Sequence, residues 1–358
     1  MTKTILNVLL LITINVYGQN NDKPELRGNW IKYNIEMKDG SQLIDRFLTD
    51  SSYLNFSFKE EKMCINGNPT HHVNMTCLPY TIQEDYIKTS STSGYQIERI
   101  ANDTLILSER MEGFENDKLK RFYFVRAQKL FNDIKKKKGD RKNQIANQFY
   151  TPVLTSSLML QLNKGFKKKH SNFKVKGTIT IDLKNEKINT LIHDATTADS
   201  SNLQRIKTII NNSYSLWNLD KFKHIETLQM PFVLKDEKTK NYRGITVKFF
   251  TDSFYQLDNF YGGDIRVIQK ARTHFNKGLK AYQKKKYEDA ITFFSKSYRL
   301  DSKNIDALYN RAAIHYETGK LVLACNDWEE LSQLGQIKGT TLFTNHCRKP
   351  TTNKIKYE

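Results

Sequence analysis

The sequence predicts a multidomain α+β protein, with an N-terminal antiparallel β-barrel, a small α+β domain in the middle and α-helical repeats at the C-terminus. Three observations predict it. Short alternating strands follow one another at even spacing through the first third. A succession of strand, hairpin, helix and strand comes next. The last quarter then repeats itself at a fixed offset of about 34 residues. At 358 residues the chain is too long for one ordinary core and suits two or three domains.

The first 18 residues read as an address. Lys3 precedes an apolar run from Ile5 to Val16, followed by Tyr17, Gly18 and the polar Gln19-Asn20-Asn21-Asp22. That is the layout of a signal peptide, and the run is shorter than the roughly 20 apolar residues a spanning helix needs. The expectation is a mature chain in the periplasm or secreted. Export permits disulfides. Cys64 and Cys77 bracket a short N-terminal loop, and Cys325 and Cys347 lie in the helical end, so two local pairs are expected. Cys64, His71, His72 and Cys77 match no standard zinc spacing, and no metal or other cofactor is expected.

Residues 24–128 are assigned to the barrel. Trp30 to Lys38 alternates, Asp39-Gly40 marks a tight hairpin, and Tyr53–Phe58, Tyr80–Lys88, Tyr95–Ile100, Thr104–Glu109 and Arg121–Arg126 are further strand candidates. Gly28-Asn29-Trp30 resembles the G-x-W opening of lipocalins and bacterial lipocalin-like domains. The resemblance implies that Trp30 closes one barrel end beneath an Arg, a role for Arg121 or Arg126 by cation–π stacking. It also implies an interior able to carry a small apolar ligand.

A basic helical linker is expected over 129–150, with its helix from Leu130 to Asn147, and an α+β domain over 151–262. Phe173–Leu183 and Lys187–Ile192 form its hairpin, Asn202–Ser213 its amphipathic helix, and Thr227–Leu234 and Gly244–Phe250 further strands. Gly177-Thr178-Ile179-Thr180-Ile181-Asp182, a helix ending near Trp217 and Met230-Pro231-Phe232-Val233-Leu234 resemble the TonB C-terminal domain. Lys184-Asn185-Glu186 replaces that family's Asp-Gly hairpin, its Tyr-Pro signature is missing, and six Pro in the whole chain make no periplasm-crossing spacer. What the resemblance implies is therefore a fold and strand addition as a binding mode, with an envelope transport component as an alternative role.

Residues 265–348 are the repeats with a C-terminal cap. Phe275 recurs as Tyr309, Gly278 as Ala312, Tyr282 as Tyr316, Ala290 as Ala324, Phe294 as Trp328 and Leu300 as Leu334. This pattern resembles the tetratricopeptide repeat. Small Gly278, Ala290, Ala312 and Ala324 let helices approach, while Phe294 and Trp328 fill the wedge between hairpins. The resemblance implies a partner-binding groove lined by Arg272, Phe275, Leu279, Tyr282, Asp306, Tyr309, Asn310, Ala313 and Tyr316. Asn310 falls at the Asn of a carboxylate clamp, but Phe275 and Leu279 replace its Lys and Asn, so a mixed aromatic groove is expected. Two repeats are fewer than the usual three, and a short helix over Leu342–Cys347, tied by Cys347 to Cys325, is expected to cap them.

The net charge of +19 includes lysine runs at 135–138, 167–169 and 284–286. They allow peripheral contact with an anionic envelope surface. No nucleic-acid motif accompanies them, and no nucleic-acid partner is expected. Neither G-x-S-x-G, H-E-x-x-H nor a phosphate-cradling Gly loop occurs, and His193-Asp194 with Asp199 lacks a nucleophile. No catalytic residue is expected. The sequence points to a non-catalytic envelope adaptor for a protein or peptide, with a small apolar ligand carrier as the alternative from another class; it leaves the oligomeric state open.

Overall fold

A computed structural model describes residues 23–45, 48, 52–70, 76–166, 172–196, 198–238, 243–249 and 265–348. The expected signal peptide and the pair His71 and His72 lie outside them. Nine strands form the N-terminal unit: β1 (Gly28–Met37), β2 (Asn55–Phe58), β3 (Lys62–Asn66), β4 (Thr76–Pro79), β5 (Thr81–Gln83), β6 (Tyr86–Lys88), β7 (Ser93–Ala101), β8 (Thr104–Met111) and β9 (Lys120–Arg126). Their order is β4-β3-β2-β1-β9-β8-β7-β6-β5, antiparallel throughout, which makes a nearly closed barrel. First and last strands pair at its centre, and the break lies between β4 and β5, where Tyr80 turns the chain.

Alternation decides which residues enter the barrel. Trp30, Phe56, Phe58, Phe122 and Phe124 are buried, and the Phe56 ring lies 4.8 Å from Phe124 and 5.9 Å from Phe122. Burying each such ring contributes roughly 2–3 kcal/mol. Asp39-Gly40 does turn the chain, with Gly40 at φ +88°, but among the described residues no strand follows directly to answer β1. The next strand begins at Asn55, and the intervening loop serves another purpose described below. The expected Tyr80–Lys88 strand is split by a turn in which Glu84 takes φ +55°.

The second unit contains α1 (Ala127–Lys138), β10 (Asn143–Ile145), β11 (Val153–Leu154), α2 (Leu158–Phe166), β12 (Lys174–Asp182), β13 (Lys187–Thr196), α3 (Ser200–Asn211), β14 (Trp217–Asn218), β15 (Thr227–Lys238) and β16 (Arg243–Lys248). Helix α1 is shorter than the expected 130–147. Gly139 ends it with φ +65°, its N–H bonding the carbonyls of Lys135 and Lys136. The chain then enters the sheet, because β10 pairs in parallel with β15. Sheet order is β10-β15-β12-β13, with β16 also on β15. Val175, Ile179 and Ile181 alternate inward on β12 and join Leu158, Leu162 and Phe166 of α2 and Ile206 and Ile210 of α3 in one core. The Asp199 carboxylate starts α3 by accepting the Asn202 N–H at 2.7 Å.

Among the described residues five helices follow: α4 (Ile265–Gln283), α5 (Tyr287–Leu300), α6 (Ile305–Glu317), α7 (Leu321–Gln333) and α8 (Ile337–His346). They form two antiparallel hairpins and a capping helix longer than the sequence suggested. Among the described residues, no helix is long and apolar enough to cross a membrane.

Candidate functional site

The repeat scaffold is set by size matching. Gly278 of α4 is buried against Phe294 of α5, and a Cβ there would lie 2.6 Å from the Phe294 ring, closer than any real contact. Ala290 and Phe294 of the first hairpin share a core with Ala307 and Ile314 of α6; Leu308, Ala312, Ala324, Trp328 and Leu331 form the next. Tyr298 packs against both and donates to Glu330 at 2.7 Å, joining α5 to α7.

Helices α4 and α6 carry the residues that the sequence assigns to a groove. The Tyr282 hydroxyl donates to Glu317 at 3.1 Å, which links α4 to α6, and the Tyr316 ring lies 4.9 Å from His346, which links α6 to α8. The Glu317 carboxylate also accepts from Tyr287 at 3.0 Å. That shared carboxylate raises the pKa of both phenols, chiefly through the hydrogen bonds themselves. Arg272, Tyr282, Ala313 and Tyr316 are exposed, whereas Phe275 and Leu279 are half-buried in the first hairpin's core, Phe275 5.5 Å from Phe294. Asn310 spends a donor on the Asp306 carbonyl of its own helix, at 2.7 Å.

The barrel takes up the other end of this face. Lys118, in the turn between β8 and β9, pairs with Asp306 at 2.7 Å and stands 5.6 Å above the Tyr309 ring. Burial pushes the Tyr309 hydroxyl up to about 12. Lys338 of α8 reaches Glu115 and Asp117 of the same turn, at 3.2 and 3.3 Å. The loop after β1 completes the contact: the Gln42 N–H donates to the Gly335 carbonyl at 3.0 Å, the Gln336 side chain donates to the Gln42 carbonyl at 2.9 Å, and the Ile337 N–H donates to Ser41 Oγ at 2.9 Å. The sequence reading missed Ser41, Gln42, Lys118 and Lys338, because polar loop residues carry no periodicity.

Between α6 and α7, Arg311 forks onto Asp327 with bonds of 3.0 and 2.6 Å, and Asp327 is 5% exposed. His315 is buried nearby, and its Nδ1 has no hydrogen-bond partner. Burial, ahead of every other cause, holds its pKa below the ordinary value.

The remaining sequence-derived residues fall into separate places. Arg126 stacks on Trp30 at 3.9 Å and donates to the carbonyls of Arg27 and Glu25, whereas Arg121 pairs with Glu36 and Glu98. Gly28 takes φ +118°, and a Cβ there would meet Arg126 Nη1 at 2.8 Å, so this turn favours glycine. Cys64 is bonded to Cys77 across β3 and β4, and Cys325 of α7 to Cys347 after α8. His193 shares a 2.9 Å hydrogen bond with Thr178, and Asp199 is the cap of α3.

Residues 271–319 match the family model described as TPR repeat. Hsp70-Hsp90 organizing protein 1 of Glycine max is 41% identical over 59 residues, a stretch covering 16% of this chain and 10% of that relative. The chain therefore shares about a tenth of the relative's length. No solved structure matches the chain.

Proposed function

We propose that this chain is an exported, non-catalytic adaptor of the cell envelope that holds a protein or peptide on its tetratricopeptide repeats. The observation that carries the reading is the division of the groove: Asp306 and Tyr309 face the barrel, while Arg272, Tyr282, Ala313 and Tyr316 remain exposed on the adjoining helices. Exposed aromatic rings beside a cation are the composition that binding surfaces favour. The matched relative is by its name an organizer of Hsp70 and Hsp90, which supports repeats that hold other proteins, though not those partners here.

The Lys- and Asn-clamp positions are held by Phe275 and Leu279, which favours an aromatic or apolar segment over a C-terminal carboxylate. On this reading the N-terminal unit is a lipocalin-like domain that buttresses the repeats, and β13, at the edge of a TonB-like sheet, is a second place for an extended segment. Photo-crosslinkers at Tyr282 and Tyr316 test the groove against Lys296 on the opposite helix α5. One partner crosslinked from both groove positions but not from Lys296 supports the assignment; equal yields from all three defeat it.

A further inference from the structure

The repeats have two ends, and the chain uses them differently. At one end the connections from α5 to α6 and from α7 to α8 meet the N-terminal unit: Lys303 donates to the Asp45 carbonyl at 3.0 Å, and the Ile337 N–H donates to Ser41. At the other end, about 20 Å away along α6, lie the turns from α4 to α5 and from α6 to α7. Two contacts hold those turns together: Glu288 pairs with Lys320, and the Tyr287 hydroxyl donates to Glu317 at 3.0 Å.

This far end carries an anomaly. Leu321, Val322 and Leu323 open α7 and are 43, 74 and 45% exposed. A run of exposed apolar residues is avoided on soluble surfaces unless it serves a function. The repeat supplies its own control. An offset of about 34 residues aligns the three with Tyr287, Glu288 and Asp289 at the start of α5, where the acidic pair suits a helix N-terminus. The scaffold therefore does not require Val322 and Leu323 to be apolar. Successive helical residues turn by about 100°, so the three side chains splay around the start of α7. A flat or grooved protein surface would cover one or two of them, whereas a fluid apolar medium surrounds all three.

Charge identifies that medium. Lys284, Lys285 and Lys286 are exposed in the neighbouring turn, and the chain as a whole carries a net charge of +19. Both draw the molecule to an anionic surface and oppose pairing of this end with a second copy. We propose that this end of the repeats docks on an anionic lipid bilayer. Leu321, Val322 and Leu323 enter the interface, and Lys284, Lys285 and Lys286 meet the headgroups. The proposal does not rest on the repeat groove, whose crosslinks are read without lipid.

Co-sedimentation of the intact mature chain with vesicles tests it. The chain is expected to sediment with vesicles of equal parts phosphatidylcholine and phosphatidylglycerol, and not with phosphatidylcholine alone. Val322→Glu/Leu323→Asp copies the first repeat at these positions, so its far-ultraviolet spectrum should match that of the unaltered chain. It should weaken binding by about tenfold or more. Lys284→Gln/Lys285→Gln/Lys286→Gln should weaken it by about tenfold at low salt, with the difference shrinking as salt is raised. Failure of the unaltered chain to sediment with the anionic vesicles overturns the assignment, as does unchanged binding of either variant, which would leave the attraction to overall charge. So does a lipid-free dimer, seen by analytical ultracentrifugation, that Val322→Glu/Leu323→Asp dissociates, because a second copy would then cover the three residues.

Discussion

Arg311 and Asp327 show how much a single pair can carry. With Asp327 nearly enclosed, Arg311→Ala would leave its charge without a counterion between α6 and α7. A loss of about 3 kcal/mol is expected, measured by denaturant unfolding followed through Trp328. His315, on the same helix, makes a prediction about acid. The unfolded chain takes up a proton near the ordinary value of 6.5, whereas burial keeps the folded imidazole neutral until lower pH. Its contribution to stability is therefore complete above that value and falls as the pH drops through it. Thermal melts at about pH 7.5 and about pH 5 should differ more in the native chain than in His315→Leu. His224 and His274 shift in the same direction and will leave part of the slope in place.

The elements were unevenly legible. Amphipathic strands such as β1, β12 and β15 and the helical hairpins announce themselves by apolar spacing, whereas α3 begins at Ser200, two residues before the expected Asn202. Strands β3 and β4 did not. Lys62, Asn66 and the exposed Thr76–Pro79 break the alternation, and their pairing is fixed by partners and by Cys64–Cys77, not by local preference. Helix α2 was missed because Leu158–Phe166 is short and opens on three consecutive apolar residues, which hide the i, i+4 spacing of Leu158, Leu162 and Phe166. Tyr282 and Tyr316 were readable because repetition marks the position twice. Helix α8 is the element most dependent on a staple. Loss of Cys325–Cys347 should destabilise the repeats by about 3 kcal/mol on the chain-entropy account. Comparing far-ultraviolet melts of oxidised protein with those of Cys325→Ser/Cys347→Ser measures it.

For the whole molecule, the contact between barrel and repeats is the feature no local pattern foretold. Asp39-Gly40 suggested a hairpin, yet the residues beyond it serve as a docking loop for α8. Two charge reversals test the arrangement. Lys118→Glu would face Asp306, and Lys338→Glu would face Glu115 and Asp117. Together they should release the barrel, seen as a larger radius of gyration in X-ray scattering and as separate unfolding steps for Trp30 and Trp328. Unchanged scattering would show that the backbone bonds of Gln42 and Ile337 suffice.

That docking loop also imposes a timetable. Ser41 and Ile337 are 296 positions apart, so the two can meet only after everything between them has been synthesised. The aromatic meander can close soon after its ninth strand appears, but the loop following its first must stay uncommitted while two further units are assembled. A chain halted before α8 would then carry a finished sheet beside an unanswered polar loop, a form that quality-control proteases could distinguish from the docked one.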